Sequence, residues 1–506
     1  MAYQGLVLPR CVVFFSVVTF SLCLPSLSER ELSYEGFQVL RLQSDDPSLL
    51  VKTVRDLQQN SQVDLWSREQ RSADIMVSPE ELRHVRETSE SQGIQHSLLI
   101  DDVHKYLELD YAARHQARHK RSVRDVTNSY MTFNEMTNYL NHVAWTSTIA
   151  EVTVSSIGRS FENKDVPVVE LRERTTNRQP KRAILIEAGI HAREWMAVSM
   201  ALNIINKLAY NPDNDPEVRE LLEKFDWFVV PLVNPDGYVY SHSSSSRRLW
   251  RKTRTTEYSH TCPGVDGNRN FGYEWNPNVG GSRNPCANSF AGRNAFSEPE
   301  TRNVRDWMKK HAENAAAYLS VHAFGEWVLY PFGSNKNEYL PDKALMQTVG
   351  NAFKSKLSQT GHSYSVGNSA ALLYPAAGGS DDYAKGTLKI PVALTMEMSP
   401  KHQSQGGFML PETLVYRTAQ DTWPGFKAMA QTLHEQLEST SGTASHSRTD
   451  NTSGASSTAV SGTNNDSTNG LVAVNLNGQT LYLPANNPAI WQWLQYYYRQ
   501  RSAGKH

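Results

Sequence analysis

Short apolar runs alternate with helical patterns over residues 122–438, the long middle section of this chain. Ala183–Ile190 and Trp227–Val233 have the length and composition of buried strands, and Trp195–Leu208 has the spacing of a helix. Strands that alternate with helices favour a sheet whose two faces are covered by helices. We therefore predict an α/β fold for residues 122–438, with a mixed, largely parallel central sheet.

Charge and hydropathy exclude two classes of protein. The 506 residues include 51 Lys or Arg and 52 Asp or Glu, which gives a formal net charge of -1. Such a balanced chain has no overall field that would hold nucleic acid. Mean hydropathy is -0.52, and a single stretch near the N-terminus is apolar enough for a bilayer. We expect neither a nucleic-acid-binding protein nor a multi-pass membrane protein.

Residues 1–28 have the pattern of a secretory signal peptide. Arg10 precedes an apolar run over residues 11–24, which is too short to span about 30 Å of hydrocarbon comfortably. Ser26 and Ser28 supply the small residues that a signal peptidase prefers. We expect a secreted, extracellular protein without a transmembrane anchor. A short membrane anchor is the alternative.

Two cysteines, Cys262 and Cys286, are left once the predicted signal peptide is removed. In an oxidising compartment, two cysteines 24 residues apart most simply form a disulfide bond. Closing a loop of that length stabilises a fold by about 3 kcal/mol when only chain entropy is considered. Two buried free thiols are the alternative.

Residues 29–121 mix strand and helix patterns in a small unit. Phe37–Leu42 alternates like a strand, and Ser48–Gln59 has helical spacing. The unit ends at Arg118-His-Lys-Arg121, the Arg-x-Lys-Arg pattern that furin-like convertases cleave, although solvated linkers have a similar composition. We predict a small α+β prosegment that a furin-like or trypsin-like protease removes by cleavage after Arg121.

The composition changes after residue 438. Of the 32 residues from 439 to 470, 24 are Ser, Thr, Gly or Asn, which is typical of a flexible linker. Residues 471–506 form a C-terminal extension, where alternation around Asn477-Gly478 predicts a β-hairpin.

A candidate metal site begins with His191-Ala-Arg-Glu194, which follows the predicted strand that ends at Ile190. A catalytic zinc commonly has three protein ligands and leaves a fourth position for water. His322 is a suitable third ligand, because it follows the apolar run 318–321 and sites in open α/β sheets lie outside the carboxyl ends of strands. Taken alone, each signal is weak: His-x-x-Glu occurs by chance, and a histidine at a strand end is often structural.

An ordered series of motifs resembles the zinc metallocarboxypeptidases of the pancreatic carboxypeptidase A and B type. The series consists of His191-Ala-Arg-Glu-Trp195, Asn234-Pro-Asp-Gly-Tyr238, Arg248-Leu-Trp-Arg-Lys-Thr-Arg254, Cys262–Asn270, Ser297-Glu-Pro-Glu300, the predicted strand that leads into His322, Leu329-Tyr-Pro-Phe-Gly333, Gly378-Gly-Ser-Asp-Asp382, Glu397 and Gly407-Phe-Met-Leu-Pro411. The resemblance spans about residues 122–438, and the prosegment is similar to the family's activation domain. It implies a zymogen of a zinc peptide hydrolase that releases the last residue of a peptide or protein chain.

The resemblance implies roles in catalysis for five residues. One Zn²⁺ ion would be held by His191, Glu194 and His322. Glu397 matches the general base that activates the attacking water, and Arg251 matches the residue that polarises the scissile carbonyl. A zinc ion and an arginine that face a developing oxyanion would together supply the electrostatic stabilisation that usually dominates such catalysis.

The resemblance also implies a set of substrate contacts. Asn268 and Arg269 match the pair that binds the free C-terminal carboxylate, and Tyr374 matches the mobile tyrosine that closes over the bound residue. Arg193 matches a contact further along the peptide. An arginine suits a carboxylate because its N–H groups can form a bidentate pair.

The residue released depends on the pocket for the last side chain. Asp381 stands where B-type members carry aspartate, and this implies release of C-terminal Lys or Arg. Asp382 follows directly, so a shift of one residue in the match would exchange their roles. The alternative is an enzyme of the same chemistry whose pocket is apolar or broad. A catalytically silent binding protein is disfavoured, because every metal ligand, the general base and every carboxylate-binding residue are present.

The chain departs from the family pattern at three places. The segment Ser399–Gln405 replaces a shorter, arginine-containing turn after Glu397, and one extra residue separates Asp382 from Glu397. Phe324 and Trp327 stand where other residues are usual near the third zinc ligand. The resemblance therefore implies nothing about what supports Glu397 or about the neighbouring subsites.

Overall fold

A computed structural model describes residues 33–60, 63–118, 129–176, 179–211, 214–445, 471–476 and 479–484. The predicted signal peptide, the predicted cleavage point at Arg121 and residues 446–470 of the predicted linker lie outside these ranges. Within them, no helix is both long enough and apolar enough to cross a membrane.

The N-terminal unit is a four-stranded antiparallel sheet with helices, in the order β2-β3-β1-β4. Its elements are β1 (Gln38–Gln43), α1 (Pro47–Asn60), β2 (Val63–Arg68), β3 (Ser72–Val77), α2 (Leu82–Ser91), β4 (Gln95–Ile100) and α3 (Val103–Arg118). Leu42 and Ile75 of the sheet and Leu50 and Leu57 of α1 share one buried core. The predicted small α+β unit is therefore confirmed.

The second unit contains an eight-stranded mixed sheet. Its elements are α4 (Phe133–Thr146), β5 (Ala150–Arg159), β6 (Asp165–Glu173), β7 (Arg182–Ala188), α5 (Trp195–Tyr210), α6 (Pro216–Lys224), β8 (Phe225–Val230), α7 (Pro235–His242), α8 (Pro299–His311), β9 (Ala315–Ala323), β10 (Trp327–Tyr330), α9 (Lys343–Ser358), β11 (Ser365–Asn368), α10 (Ser369–Leu372), α11 (Ser380–Gly386), β12 (Val392–Met398) and α12 (Val415–Ser445).

The strand order is β11-β10-β12-β9-β7-β8-β6-β5. The four central strands β12, β9, β7 and β8 are parallel, whereas β10, β6 and β5 pair antiparallel with their inner neighbours. Ile204 of α5 and Phe426 of α12 pack in one core, and Val304 of α8 and Ala384 of α11 pack in another. The predicted mixed sheet with helices on both faces is confirmed.

Helix α12 corrects one predicted boundary. We expected the linker to begin at Ser439, but the helix continues to Ser445. Leu433 of α12 is buried in the core, so the helix is already nucleated there. Extending a formed helix adds one hydrogen bond per residue without a new nucleation cost, and this offsets the low helix propensity of Ser, Thr and Gly.

Two local predictions about covalent and strand pairing also agree with the structure. Cys262 and Cys286 form a disulfide bond, with Cα atoms 4.8 Å apart, and the free-thiol alternative is set aside. In the C-terminal extension, β13 (Leu471–Leu476) pairs antiparallel with β14 (Gln479–Pro484), as expected for the hairpin.

Candidate active site

The candidate metal ligands lie at the carboxyl edge of the two most central strands. His191 and Glu194 occupy the turn between β7 and α5, and His322 lies near the end of β9. Because β7 and β9 are parallel neighbours, these side chains reach the same edge of the sheet. One ligand atom from each of the three buried residues lies within 4.8 Å of the other two.

The three side chains face a common point. The carboxylate oxygens of Glu194 lie 2.7 Å from Nδ1 of His191 and 2.9 Å from Nδ1 of His322, and the two Nδ1 atoms are 3.1 Å apart. Burial lowers the pKa of His322, but the neighbouring Glu194 carboxylate raises it, and the result is a pKa of about 9. Two imidazole nitrogens and one carboxylate that converge in this way fit a zinc ion.

Buried groups hold the outer nitrogens of both imidazoles. Nε2 of His191 lies 3.0 Å from the carboxylate of Asp266, and Nε2 of His322 lies 2.9 Å from Oγ of Ser320. Ser320 in turn donates to the carboxylate of Glu187 at 2.5 Å. Such outer partners fix the ring orientation of metal-bound histidines. The sequence prediction missed Asp266 as a partner, although it lies inside the Cys262–Asn270 motif.

Glu397 and Arg251 lie beside the metal ligands. Glu397 of β12 is paired in register with His322 of β9, and burial raises its pKa to about 7. The guanidinium of Arg251 donates to Asp266 at 3.0 and 3.1 Å, and its Nη1 lies 3.5 Å from Glu194. A carboxylate and a cation therefore flank the candidate metal point.

The predicted carboxylate-binding residues form a connected group on the next wall of the cleft. Arg269 donates through Nε to the carbonyl of Gly280 at 2.8 Å and through Nη2 to the hydroxyl of Tyr374 at 3.2 Å. The side-chain oxygen of Asn268 accepts the N–H of Ser380 at 2.9 Å. These contacts fix the guanidinium of Arg269 while its partner Tyr374 remains on the cleft surface.

The two adjacent aspartates occupy different environments. Asp381 is buried and lines the cleft, where burial raises its pKa. Asp382 instead accepts the backbone N–H groups of Gly333 and Ser334, at 2.8 and 3.0 Å. Of the pair, Asp381 is therefore the carboxylate that faces the cleft.

All of the predicted metal, catalytic and substrate-binding residues line a single cleft. They are His191, Arg193, Glu194, Arg251, Asn268, Arg269, His322, Tyr374, Asp381 and Glu397. The cavity that they line, together with part of the N-terminal unit, has a volume of about 130 Å³.

A buried hydrogen-bond network supports the segment after Glu397, where the chain departs from the family pattern. The Glu326 carboxylate lies 2.8 Å from Nδ1 of His362 and accepts Oγ of Ser399 at 2.9 Å and the N–H of Ser363 at 2.8 Å. Glu326 has a φ of 58°, so its backbone adopts the left-handed conformation that residues other than glycine rarely take. No local sequence pattern predicts this network, since its members are far apart along the chain.

Strand β2 of the N-terminal unit forms a roof over the cleft. Leu65, Trp66 and Arg68 of β2 line the same cavity as the candidate metal ligands. Arg193, predicted to contact the peptide, instead forms a buried ion pair with Asp64 of β2. The Trp66 ring packs edge-on against Phe408, with centroids 5.7 Å apart. The intact chain therefore blocks its own cleft.

Comparison with known families assigns both units. A family model described as zinc carboxypeptidase matches residues 136–425, and one described as carboxypeptidase activation peptide matches residues 49–110.

Similar curated proteins include both A and B types. Carboxypeptidase B of Helicoverpa zea is 34% identical over 391 residues, which cover 74% of this chain and 88% of that protein. Carboxypeptidase A1 of Bos taurus is 32% identical over 406 residues, which cover 78% and 92%. Among solved structures, carboxypeptidase A from Helicoverpa armigera has a TM-score of 0.72 and 28% identity, and the match covers 80% of this chain and 99% of that one.

Proposed function

The chain belongs to the zinc carboxypeptidase family, and on that premise we propose that its processed catalytic unit releases C-terminal Lys and Arg residues from peptides and proteins. It is a zymogen of a zinc metallocarboxypeptidase, because a carboxypeptidase activation peptide precedes the catalytic unit. The relatives include carboxypeptidases A and B, so the basic specificity rests on the cleft of this chain and not on the family.

In the proposed site, His191, Glu194 and His322 hold the zinc ion. When bound there, zinc supplies Lewis-acid polarisation of a carbonyl and a lowered pKa for water. Glu397 accepts the proton of the attacking water and passes it to the departing amine. A buried carboxylate whose pKa is raised to about 7 suits both steps near neutral pH. Arg251 stabilises the negative charge that develops on the carbonyl oxygen.

The substrate is held by its free C-terminal carboxylate. Arg269 and Asn268 bind that carboxylate, and Tyr374 moves over the bound residue. Arg193 contacts the peptide further from its end once removal of the prosegment frees it from Asp64. A peptide bond in the middle of a chain brings no carboxylate to Arg269, so only the terminal residue is released.

The observation that carries the basic specificity is the environment of Asp381. This carboxylate is 5% exposed and lines the cleft, where Thr395 and backbone groups are its hydrogen-bond partners. Among the described residues, no Lys or Arg forms an ion pair with it. A Lys or Arg side chain of the substrate compensates such a buried charge, whereas Phe or Leu leaves it unpaired.

Secretion and processing complete the proposal. The first 28 residues direct the chain out of the cell, and a furin-like or trypsin-like protease cleaves after Arg121. Two findings support the processing step: the activation-peptide match ends at residue 110, before the basic run, and strand β2 lies over the cleft in the uncleaved chain.

The test compares three peptides that differ only in a final Arg, Lys or Phe, with the processed, zinc-loaded protein. We expect kcat/KM for Arg to exceed that for Phe by about 100-fold, the cost of leaving a buried charge unpaired. Asp381→Asn should remove most of that preference, while Asp306→Asn, at an exposed aspartate, should leave it unchanged. A preference for Phe in the parent protein would overturn the basic specificity.

A further inference from the structure

Arg68, the last residue of β2, is a buried cation that has no acidic partner among the residues described by the structure. The residue is 9% exposed to solvent, and its Nε and Nη1 atoms are buried without a hydrogen bond to any described residue. The arginines around it are paired: Arg41 donates to Asp74 at 2.7 and 2.8 Å, and Arg193 pairs with Asp64. Burial lowers the pKa of Arg68, and among the described residues it is the Tyr374 phenol, not a carboxylate, that offsets part of that effect.

Arg68 and Arg269 line the same small cavity. Arg68 belongs to strand β2 of the prosegment, and Arg269 belongs to the catalytic unit. Tyr374 interacts with both arginines, because its hydroxyl accepts a hydrogen bond from Nη2 of Arg269 at 3.2 Å and its phenol interacts electrostatically with Arg68. Two guanidinium groups that line one cavity are suited to a carboxylate, which has two oxygens and can accept from both.

We propose that the uncleaved protein binds a small carboxylate, of the class of a free amino acid, between Arg68 of the prosegment and Arg269 of the catalytic unit. The site exists only while β2 roofs the cleft, since Arg68 leaves with the prosegment. The identity of the ligand rests on the proposed function: a free amino acid is the product of a carboxypeptidase. A product that bridges both units stabilises the docked prosegment, so accumulated product slows further activation.

The first experiment measures binding to the uncleaved, zinc-loaded protein by isothermal titration calorimetry. The probes are L-arginine, L-phenylalanine and L-argininamide, which lacks the free carboxylate. We expect L-arginine to bind, and Arg68→Gln to weaken it at least tenfold, as for the loss of hydrogen bonds to a charged group. The matched control is Arg71→Gln, at an arginine of the same hairpin whose side chain is 70% exposed, and it should change affinity less than twofold.

Two results of that titration overturn the proposal. One is an Arg68→Gln variant whose affinity for both amino acids stays within twofold of the parent. The other is equal affinity for L-argininamide and L-arginine, because the free carboxylate would then contribute nothing to binding.

The probe side chain separates this proposal from the proposed function. If L-phenylalanine binds better than L-arginine but still depends on Arg68, the carboxylate site stands and the basic specificity of the enzyme fails. If L-arginine binds better and is insensitive to Arg68→Gln, the specificity stands and the carboxylate site fails.

A second measurement guards against a variant that merely misfolds. Without ligand, Arg68→Gln should have a thermal midpoint no lower than the parent, because it removes an unpaired buried charge. With L-arginine, amide hydrogen exchange in β2 should slow in the parent and not in the variant. A lower midpoint without ligand would show that Arg68 already has a stabilising partner, and this would overturn the proposal.

Discussion

The floor and the roof of the cleft differ in how their polar groups are paired. The floor is defined as His191, Glu194 and His322. Its two imidazoles form hydrogen bonds to the buried side chains of Asp266 and Ser320. The roof, strand β2, is attached to the cleft through the Asp64–Arg193 ion pair and the Trp66–Phe408 contact, and none of the described residues forms an ion pair with its Arg68.

This difference indicates what activation has to accomplish. Every described partner that orients the floor belongs to the catalytic unit, so we expect the proposed metal site to be complete while the prosegment is still attached. The roof adds a blocking contact to Arg193 and one unsatisfied cation. Removal of the prosegment therefore uncovers a preformed site and does not have to assemble one.

The largest effect is expected from the floor, with Glu397→Gln in the processed protein. Loss of the proton acceptor should lower kcat by about 10²–10⁴-fold. The zinc content should stay at that of the parent, because Glu397 is not a proposed ligand. Activity and metal content are measured together, with Glu313→Gln at an exposed glutamate as the control. Unchanged turnover would contradict the assigned role.

The strongest test of the roof is Asp64→Ala in the uncleaved protein. It leaves the buried Arg193 unpaired, at a cost of about 3–5 kcal/mol while the prosegment is docked. The roof should therefore open about 100- to 4,000-fold more often, and both residual hydrolysis by the uncleaved chain and amide exchange in β2 report that opening. Asp45→Ala, at an almost fully exposed prosegment aspartate, is the control. If Asp64→Ala behaved like that control, the ion pair would not hold the roof.

Asp266→Asn tests whether the floor depends on its buried partners. The change weakens the contact that orients His191 and removes the charge that Arg251 pairs with. Loss of such a partner typically lowers metal affinity about 10–100-fold. Competition with a chelator measures the affinity for zinc, and Asp306→Asn serves as the exposed control. Equal affinities in the two variants would show that the floor does not need its buried support.

The smallest predicted effect concerns the Glu326–His362 pair beside Glu397. The hydrogen bond to Glu326 raises the pKa of His362 above its usual 6.5, so the protonated form is favoured in the folded state. That stabilisation is complete below about pH 6.5 and is lost as the pH rises through the raised value. His362→Gln should lower the thermal midpoint by about 2 °C at pH 6 and by less at pH 9. The control His260→Gln, at an exposed histidine, should change the thermal midpoint by the same amount at both pH values. If His362→Gln lowered the midpoint equally at pH 6 and pH 9, the ion pair would be excluded as the source of that loss.

The sequence predicted the strands of the central sheet better than it predicted their ends. Ala183–Ile190 was expected to be a strand, and β7 ends at Ala188 because Gly189 has a φ of 67°. Likewise Trp227–Val233 was expected to be a strand, and β8 ends at Val230. Burial patterns reveal which segments pack in the core, whereas single backbone angles decide where each element stops.

The floor was predictable from the sequence and the roof was not. His191, Glu194 and His322 lie in or beside motifs that an ordered family match identifies. The Asp64–Arg193 pair joins residues 129 positions apart, and no local pattern indicates that they meet. The same holds for Glu326, His362 and Ser399, whose network depends on how three distant segments pack together.

Anomalous diffraction at the zinc edge, on crystals of the uncleaved zinc-loaded protein, tests the central claim most directly. We predict one strong peak at the point that the floor residues share, about 2.0–2.2 Å from Nδ1 of His191, Nδ1 of His322 and a carboxylate oxygen of Glu194. A peak bound to other residues, or no peak at that point in zinc-saturated crystals, would contradict the claim that these three side chains form the metal centre before activation.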